Sequence, residues 1–116
     1  MNIHLIDDEE YAHDDAALKL KMAGFDGKLK CYFDAGEFFM ETAGLDLSND
    51  LIVVDYELGS ETAVEARIAE RVREKPFRKL MLYSVLPAFG SEGENVTKMY
   101  DAVFRKEKMD WKSLID

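Results

Sequence analysis

Short apolar runs alternate along this chain with stretches whose apolar residues recur every three or four positions. Ile3-His4-Leu5-Ile6 is the first run, and it stops abruptly at Asp7-Asp8-Glu9-Glu10. Ala12, Ala16, Leu20 and Ala23 follow at helical spacing, and Gly24 is placed to end that helix. Residues 29–33 predict a second strand, after which Asp34 and Glu37 have capping-box spacing ahead of Phe38 and Phe39. Leu51-Ile52-Val53-Val54 is unbroken aliphatic, as expected of a central parallel strand covered on both faces, and it ends at Asp55. Thr62 and Glu65 repeat the capping-box spacing, and Val64, Ile68 and Val72 form a one-sided stripe that Pro76 stops. Residues 80–83 predict a fourth strand ending at Ser84. Pro87, Gly90 and Gly93 predict a loop over 85–93, leaving room for a short helix over about 95–101. Ala102-Val103-Phe104 is a fifth strand, and Asp110 is set to cap a short last helix carrying Trp111, Leu114 and Ile115.

Strand and helix thus alternate, the mark of an α/β fold with a mostly parallel sheet and helices on both faces. Right-handed crossovers leave few topologies, and in such sheets sites form at the carboxyl ends of the strands.

Composition narrows the classes. The 116 residues, 47% of them apolar, predict a single domain over residues 1–116 with a core of its own. A net charge of −9 argues against direct binding to nucleic acid or to an anionic membrane. No apolar run approaches the length of a membrane span, the start lacks a signal-peptide layout, and Cys31 is alone, so a cytoplasmic location is expected. One cysteine with His4 and His13 cannot build a structural zinc site.

The chemistry-bearing residues fall at the predicted strand ends: Asp7 and Asp8 after the first, Asp55 after the third, Ser84 after the fourth, and Lys106 just beyond the fifth. In a parallel sheet these ends share one rim. Three carboxylates gathered there repel one another unless a cation joins them. Oxygen ligands without a Cys or His cluster favour Mg2+. The Lys106 ammonium and the Ser84 hydroxyl would then face a phosphoryl group carried by Asp55.

Taken together, Ile6-Asp7-Asp8, Val53-Val54-Asp55, Leu58, Ser84 and Lys106 resemble the receiver domain of bacterial two-component response regulators. The resemblance spans nearly the whole chain. It implies a flavodoxin-like doubly wound sheet of five strands in the order 2-1-3-4-5, with helices on both faces; the fourth and fifth helices of this chain are expected to be short, a departure from the family pattern. It implies Asp55 as phosphoacceptor and Ser84 and Lys106 as its sensors. Mg2+ would be held by Asp8, by Asp7 largely through water, by Asp55 and by the Glu57 backbone carbonyl. It further implies phosphorelay signal transduction. The phosphoryl donor would be a histidine kinase or phosphotransfer protein, and a downstream protein target would receive the signal. A homodimer is compatible with it, and enzymatic activity would extend at most to self-phosphotransfer and autodephosphorylation. The chain departs from the family pattern at Gly59 and Glu107, where prolines are usual, at Ala63, at Val85, and at Val103, where an aromatic is usual.

Simpler roles stand beside these. The acidic run 7–10 also suits a helix N-terminus. His4 and His13 read as ordinary strand and helix residues, Cys31 as a small buried apolar group, and Phe38, Phe39, Trp111 and the methionines as packing. An alternative function is a pseudo-receiver that binds a protein partner without phosphate. A phosphohydrolase or flavin carrier on the same fold is a third. Glu57 occupies the place of the second aspartate that one hydrolase pattern needs, and no hydroxyl- and glycine-rich loop follows the first strand.

Overall fold

The computed structural model describes residues 1–84 and 98–115. The loop expected over 85–93, with Val85, and the first three positions (95–97) of the short helix expected over 95–101 lie outside the described residues. Strands β1 (Ile3–Ile6), β2 (Leu29–Tyr32), β3 (Leu51–Asp55), β6 (Lys79–Ser84) and β7 (Ala102–Arg105) form one sheet in the order β2-β1-β3-β6-β7, with every neighbouring pair parallel. Two short strands between β3 and the third helix, β4 (Glu57–Leu58) and β5 (Glu61–Thr62), pair separately as an antiparallel hairpin. The helices are α1 (Glu10–Met22), α2 (Ala35–Thr42), α3 (Ile68–Val72) and α4 (Trp111–Ile115), with a 3-10 turn at Lys106–Lys108.

The alternation of side chains along each strand divides the core in two. Ile6, Ile52, Val54, Leu80 and Leu82 pack with Phe38 of α2 and Ile68 and Val72 of α3. Ile3, Leu5, Leu51, Val53, Met81 and Tyr83 pack with Ala16 and Leu20 of α1 and with Met109 and Trp111. Val53, Val54, Leu80 and Leu82 are fully buried. Each such aliphatic contributes about 1.5–3 kcal/mol of burial free energy, which fixes the strand register.

Three local features correct the sequence reading. The Thr62–Glu65 capping box forms, with Thr62 N–H donating to Glu65 Oε1 at 2.9 Å and Glu65 N–H to Thr62 Oγ1 at 3.1 Å. The turn it caps nevertheless breaks at Arg67, which is left-handed (φ 55°), and α3 begins only at Ile68. Gly59 stands where the family has proline because this hairpin needs φ +73° there. Proline is locked near −65°, and glycine takes the first central position of a type II′-like turn without strain. Cys31 is half-buried rather than buried, on edge strand β2.

Candidate functional site at the carboxyl rim of the sheet

Strand parity assembles the site. Asp7 continues the Ile3, Leu5 face of β1, Asp55 the Leu51, Val53 face of β3, and Tyr83 the Met81 face of β6. Asp55 and Tyr83 are register partners. Side chains two residues apart share a face, so two carboxylates and a phenol arrive at the same rim of the α1/α4 side. Lys106 enters from the 3-10 turn after β7.

Carboxylate oxygens of Asp7, Asp8 and Asp55 all lie within 4.8 Å of one another. Asp7 is fully buried and Asp55 nearly so, while Asp8 is exposed. Asp7 meets three donors, two of them on one oxygen. Its Oδ1 accepts the Glu9 N–H at 2.9 Å, and its Oδ2 accepts the Tyr83 hydroxyl at 2.5 Å and contacts Lys106 Nζ at 2.7 Å. Its carbonyl oxygen lies 2.8 Å from His13 Nε2, which ties the strand end to α1. Asp55 is held less tightly. Lys106 Nζ donates to its Oδ2 at 3.1 Å, and the Glu57 N–H to its Oδ1 at 3.3 Å.

The electrostatics follow from this packing. Burial, followed by the charge of Asp7, pushes the Asp55 carboxyl up to about 7, against the opposing pull of Lys106 and the Glu57 N–H. Burial pulls the Lys106 ammonium down. Its hydrogen bonds to Asp7 and Asp55 and their charges outweigh that and leave its pKa raised. Burial and then Asp7 drive the Tyr83 hydroxyl far up, so it remains a proton donor. One ammonium between two buried carboxylates leaves negative charge uncompensated at the rim. The donor set, three carboxylates from two strand ends without Cys or His, fits a hard divalent cation.

Each residue expected from the sequence can now be located. Asp7, Asp8, Asp55 and Lys106 meet. Ser84 is fully buried at the end of β6, beside the register that carries Tyr83 and Asp55. Glu57 is exposed at the start of the β4–β5 hairpin, and its backbone approaches Asp55. On the other flank, the hairpin turn leans on Asp8: a Cβ at Gly59 would meet Asp8 Oδ2 at 3.4 Å. The part of Tyr83 escaped the sequence reading. The available signal was a hydroxyl-bearing aromatic ending the otherwise aliphatic Leu80–Leu82 run, at the same parity as Asp55.

A second polar group lies within the core. His4 is fully buried, with Nδ1 2.9 Å from the Tyr32 hydroxyl and Nε2 2.8 Å from Asp50 Oδ2. Burial lowers its pKa, and the hydrogen bond and charge of Asp50 oppose this. A neutral ring that donates from Nε2 and accepts at Nδ1 satisfies both contacts.

No protein-family model and no curated protein matches the chain. Solved structures do. A response regulator from Burkholderia pseudomallei, with a phosphorylated aspartic acid, a calcium ion and citrate, aligns at TM-score 0.76 and 18% identity over 97% of this chain. The chain spans 64% of that protein's length. A response regulator receiver protein from Pseudoalteromonas atlantica aligns at 0.74 and 12% identity, covering 99% of this chain and 90% of its own. The chain has the receiver-domain fold. The chemotaxis protein CheY4 of Vibrio cholerae has it too, at TM-score 0.71 and 16% identity over 98% of this chain and 92% of CheY4. At these identities the likeness is one of fold, and the sheet order β2-β1-β3-β6-β7 is the doubly wound order expected of a receiver. No helix among the described residues of this receiver fold is long and apolar enough to cross a membrane.

Proposed function

We propose that this chain is a receiver of two-component signalling that accepts a phosphoryl group on Asp55 and requires a divalent cation, Mg2+ in the cell. The supporting observation is the meeting of Asp55 with Asp7, Asp8 and Lys106 at one sheet rim, from three separate segments of chain. A phosphohistidine on a kinase or phosphotransfer protein is the donor. A carboxylate oxygen of Asp55 forms the new bond to phosphorus as the bond to the donor nitrogen breaks, and the donor imidazole leaves with that electron pair.

Asp8, Asp55 and the Glu57 carbonyl would hold the cation, with Asp7 behind them. When bound, it neutralises charge on the phosphoryl oxygens. Lys106, already at hydrogen-bond distance from Asp55, supplies the ammonium that pairs with the transferred group, and Ser84 supplies a hydroxyl. The phosphoryl group draws Lys106 and Ser84 toward Asp55 and biases the domain between two conformations that a downstream target distinguishes. The phosphorylated aspartate and calcium ion of the Burkholderia protein support the same chemistry here.

The test is intact-mass analysis after incubation with a small phosphodonor and Mg2+. The wild type should gain one phosphoryl group, and the gain should vanish with a chelator and in Asp55→Asn. No gain in the wild type, or an equal gain in Asp55→Asn, would refute the assignment.

One observation favours a second reading. Lys106 bridges Asp7 and Asp55 directly, so the site is partly self-neutralised without a cation. A module of this kind could hold its signalling shape without phosphate, and its partner binding would then be indifferent to Asp55→Asn.

A further inference from the structure

We propose that Tyr83 is a positioning residue of the acidic site: its hydroxyl occupies the Asp7 oxygen that also holds Lys106, weakening Asp7 as a cation ligand and reserving it as the anchor of the lysine. This rests on the reading of the acidic cluster as a divalent-cation site.

The geometry is specific. Tyr83 lies one residue before Ser84 and opposite Asp55 in the sheet. Its ring is buried, edge-on to Trp111 at 6.3 Å between centroids and under the Lys106 ammonium at 4.9 Å. Those contacts fix the ring, and the ring aims the hydroxyl at Asp7 Oδ2, 2.5 Å away. Lys106 Nζ lies 2.7 Å from the same oxygen. A carboxylate oxygen offers two lone pairs, and here two donors take both. A cation approaching Asp7 Oδ2 must therefore displace a donor, whereas Asp8 is exposed and Asp55 Oδ2, among the described residues, accepts from Lys106 alone. The hydroxyl also draws charge from the carboxylate. That lowers its pull on a cation even where both contacts persist.

The consequence is a division of labour within the cluster. Asp8 and Asp55 carry the cation. Asp7, tied to Glu9, Tyr83 and Lys106, keeps the ammonium parked beside Asp55. Lys106 is then poised 3.1 Å from Asp55 Oδ2, ready to turn from Asp7 to a phosphoryl group carried there.

The experiment is direct titration of Mg2+ and of Mn2+ into wild type and Tyr83→Phe, followed by calorimetry, with no phosphodonor present. Phenylalanine keeps the ring and its packing and removes one donor from Asp7. Affinity should rise about three- to tenfold, the scale of a typical hydrogen bond's net contribution. A purely structural role for Tyr83 would leave affinity unchanged or lower it, so either result overturns the proposal, as does the absence of cation binding in both proteins. Tyr83→Leu, which removes the ring as well, separates the effects: it should bind cations at least as tightly as wild type while melting lower. The phosphoacceptor reading is scored apart, by phosphoryl uptake in the wild type. Uptake with unchanged affinity in Tyr83→Phe rejects the role of Tyr83 alone. Tighter cation binding without uptake rejects Asp55 as acceptor alone.

Discussion

Lys106 Nζ stands 3.1 Å from Asp55 Oδ2, across fifty-one positions of sequence, and is the single cation among the described residues that reaches this carboxylate. The same ammonium contacts Asp7, so one side chain compensates two buried acids. Removing one partner of such a group costs more than the contact itself is worth, because the remaining charges stay buried.

Lys106→Met should therefore lower the stability of the metal-free protein by about 3 kcal/mol at pH 8. Mg2+ should restore part of the loss by replacing the missing positive charge. Urea unfolding with and without Mg2+ reads both effects. A loss within about 0.5 kcal/mol, the scale of an ordinary surface change, would contradict the electrostatic account.

The pH dependence of the metal-free protein should carry the signature of Asp55. Burial and Asp7 raise its folded-state value from 3.8 to about 7, so the folded state binds more protons than the unfolded state between those values. Its contribution is fully present at low pH and is lost as pH rises through about 7. Asp55→Asn should remove that decline, and its advantage over the wild type should grow from pH 5 to pH 8. Mg2+ affinity of the wild type should climb over the same interval, since the cation competes with the proton. Denaturation across pH, paired with calorimetric titrations, checks both trends.

His4 should act on the acid side. Its pKa is depressed below 6.5, chiefly by burial, so the unfolded state takes up the proton first as pH falls. Its contribution is complete above 6.5 and is lost toward the lower folded-state value. His4→Phe should flatten that limb. It should also cost about 2–3 kcal/mol at neutral pH, because the Asp50 carboxylate and Tyr32 hydroxyl lose a buried partner. An acid limb unchanged in His4→Phe would assign the slope elsewhere.

Arg67 holds a left-handed conformation (φ 55°) at the start of α3, and among the described residues its side chain gains in return an exposed contact to Glu70 at 3.7 Å. Arg67→Gly should stabilise the protein by about 0.5–1 kcal/mol, since relief of the Cβ clash exceeds the added flexibility of the unfolded chain. A thermal melt that falls instead would show that the arginine side chain holds this turn.

The residues explain what could be read in the sequence and what could not. The aliphatic run Leu51-Ile52-Val53-Val54 and the strand ends at Asp7, Asp55 and Ser84 were legible because burial on both faces writes long apolar runs, and parallel strands put their polar ends on one rim. The β4–β5 hairpin was not: two-residue strands are too short for periodicity, and its sign, a glycine where the family has proline, becomes intelligible through the positive φ. The Thr62–Glu65 box was read correctly as a cap, yet α3 starts later because Arg67 turns left-handed, which its side chain does not announce. The reach of Tyr83 to Asp7 and of His4 to Asp50 depends on which long side chains meet across strands, information that sequence spacing does not hold.

A crystal structure grown with Mg2+ and beryllium fluoride, a mimic of the aspartyl phosphate, tests the central claim most directly. The fluoride complex should sit on a carboxylate oxygen of Asp55, the ion should be ligated by Asp8 and Asp55, and Lys106 should have turned from Asp7 toward the fluorides. A structure in which Asp55 carries no such group while Lys106 still bridges Asp7 and Asp55 would contradict it.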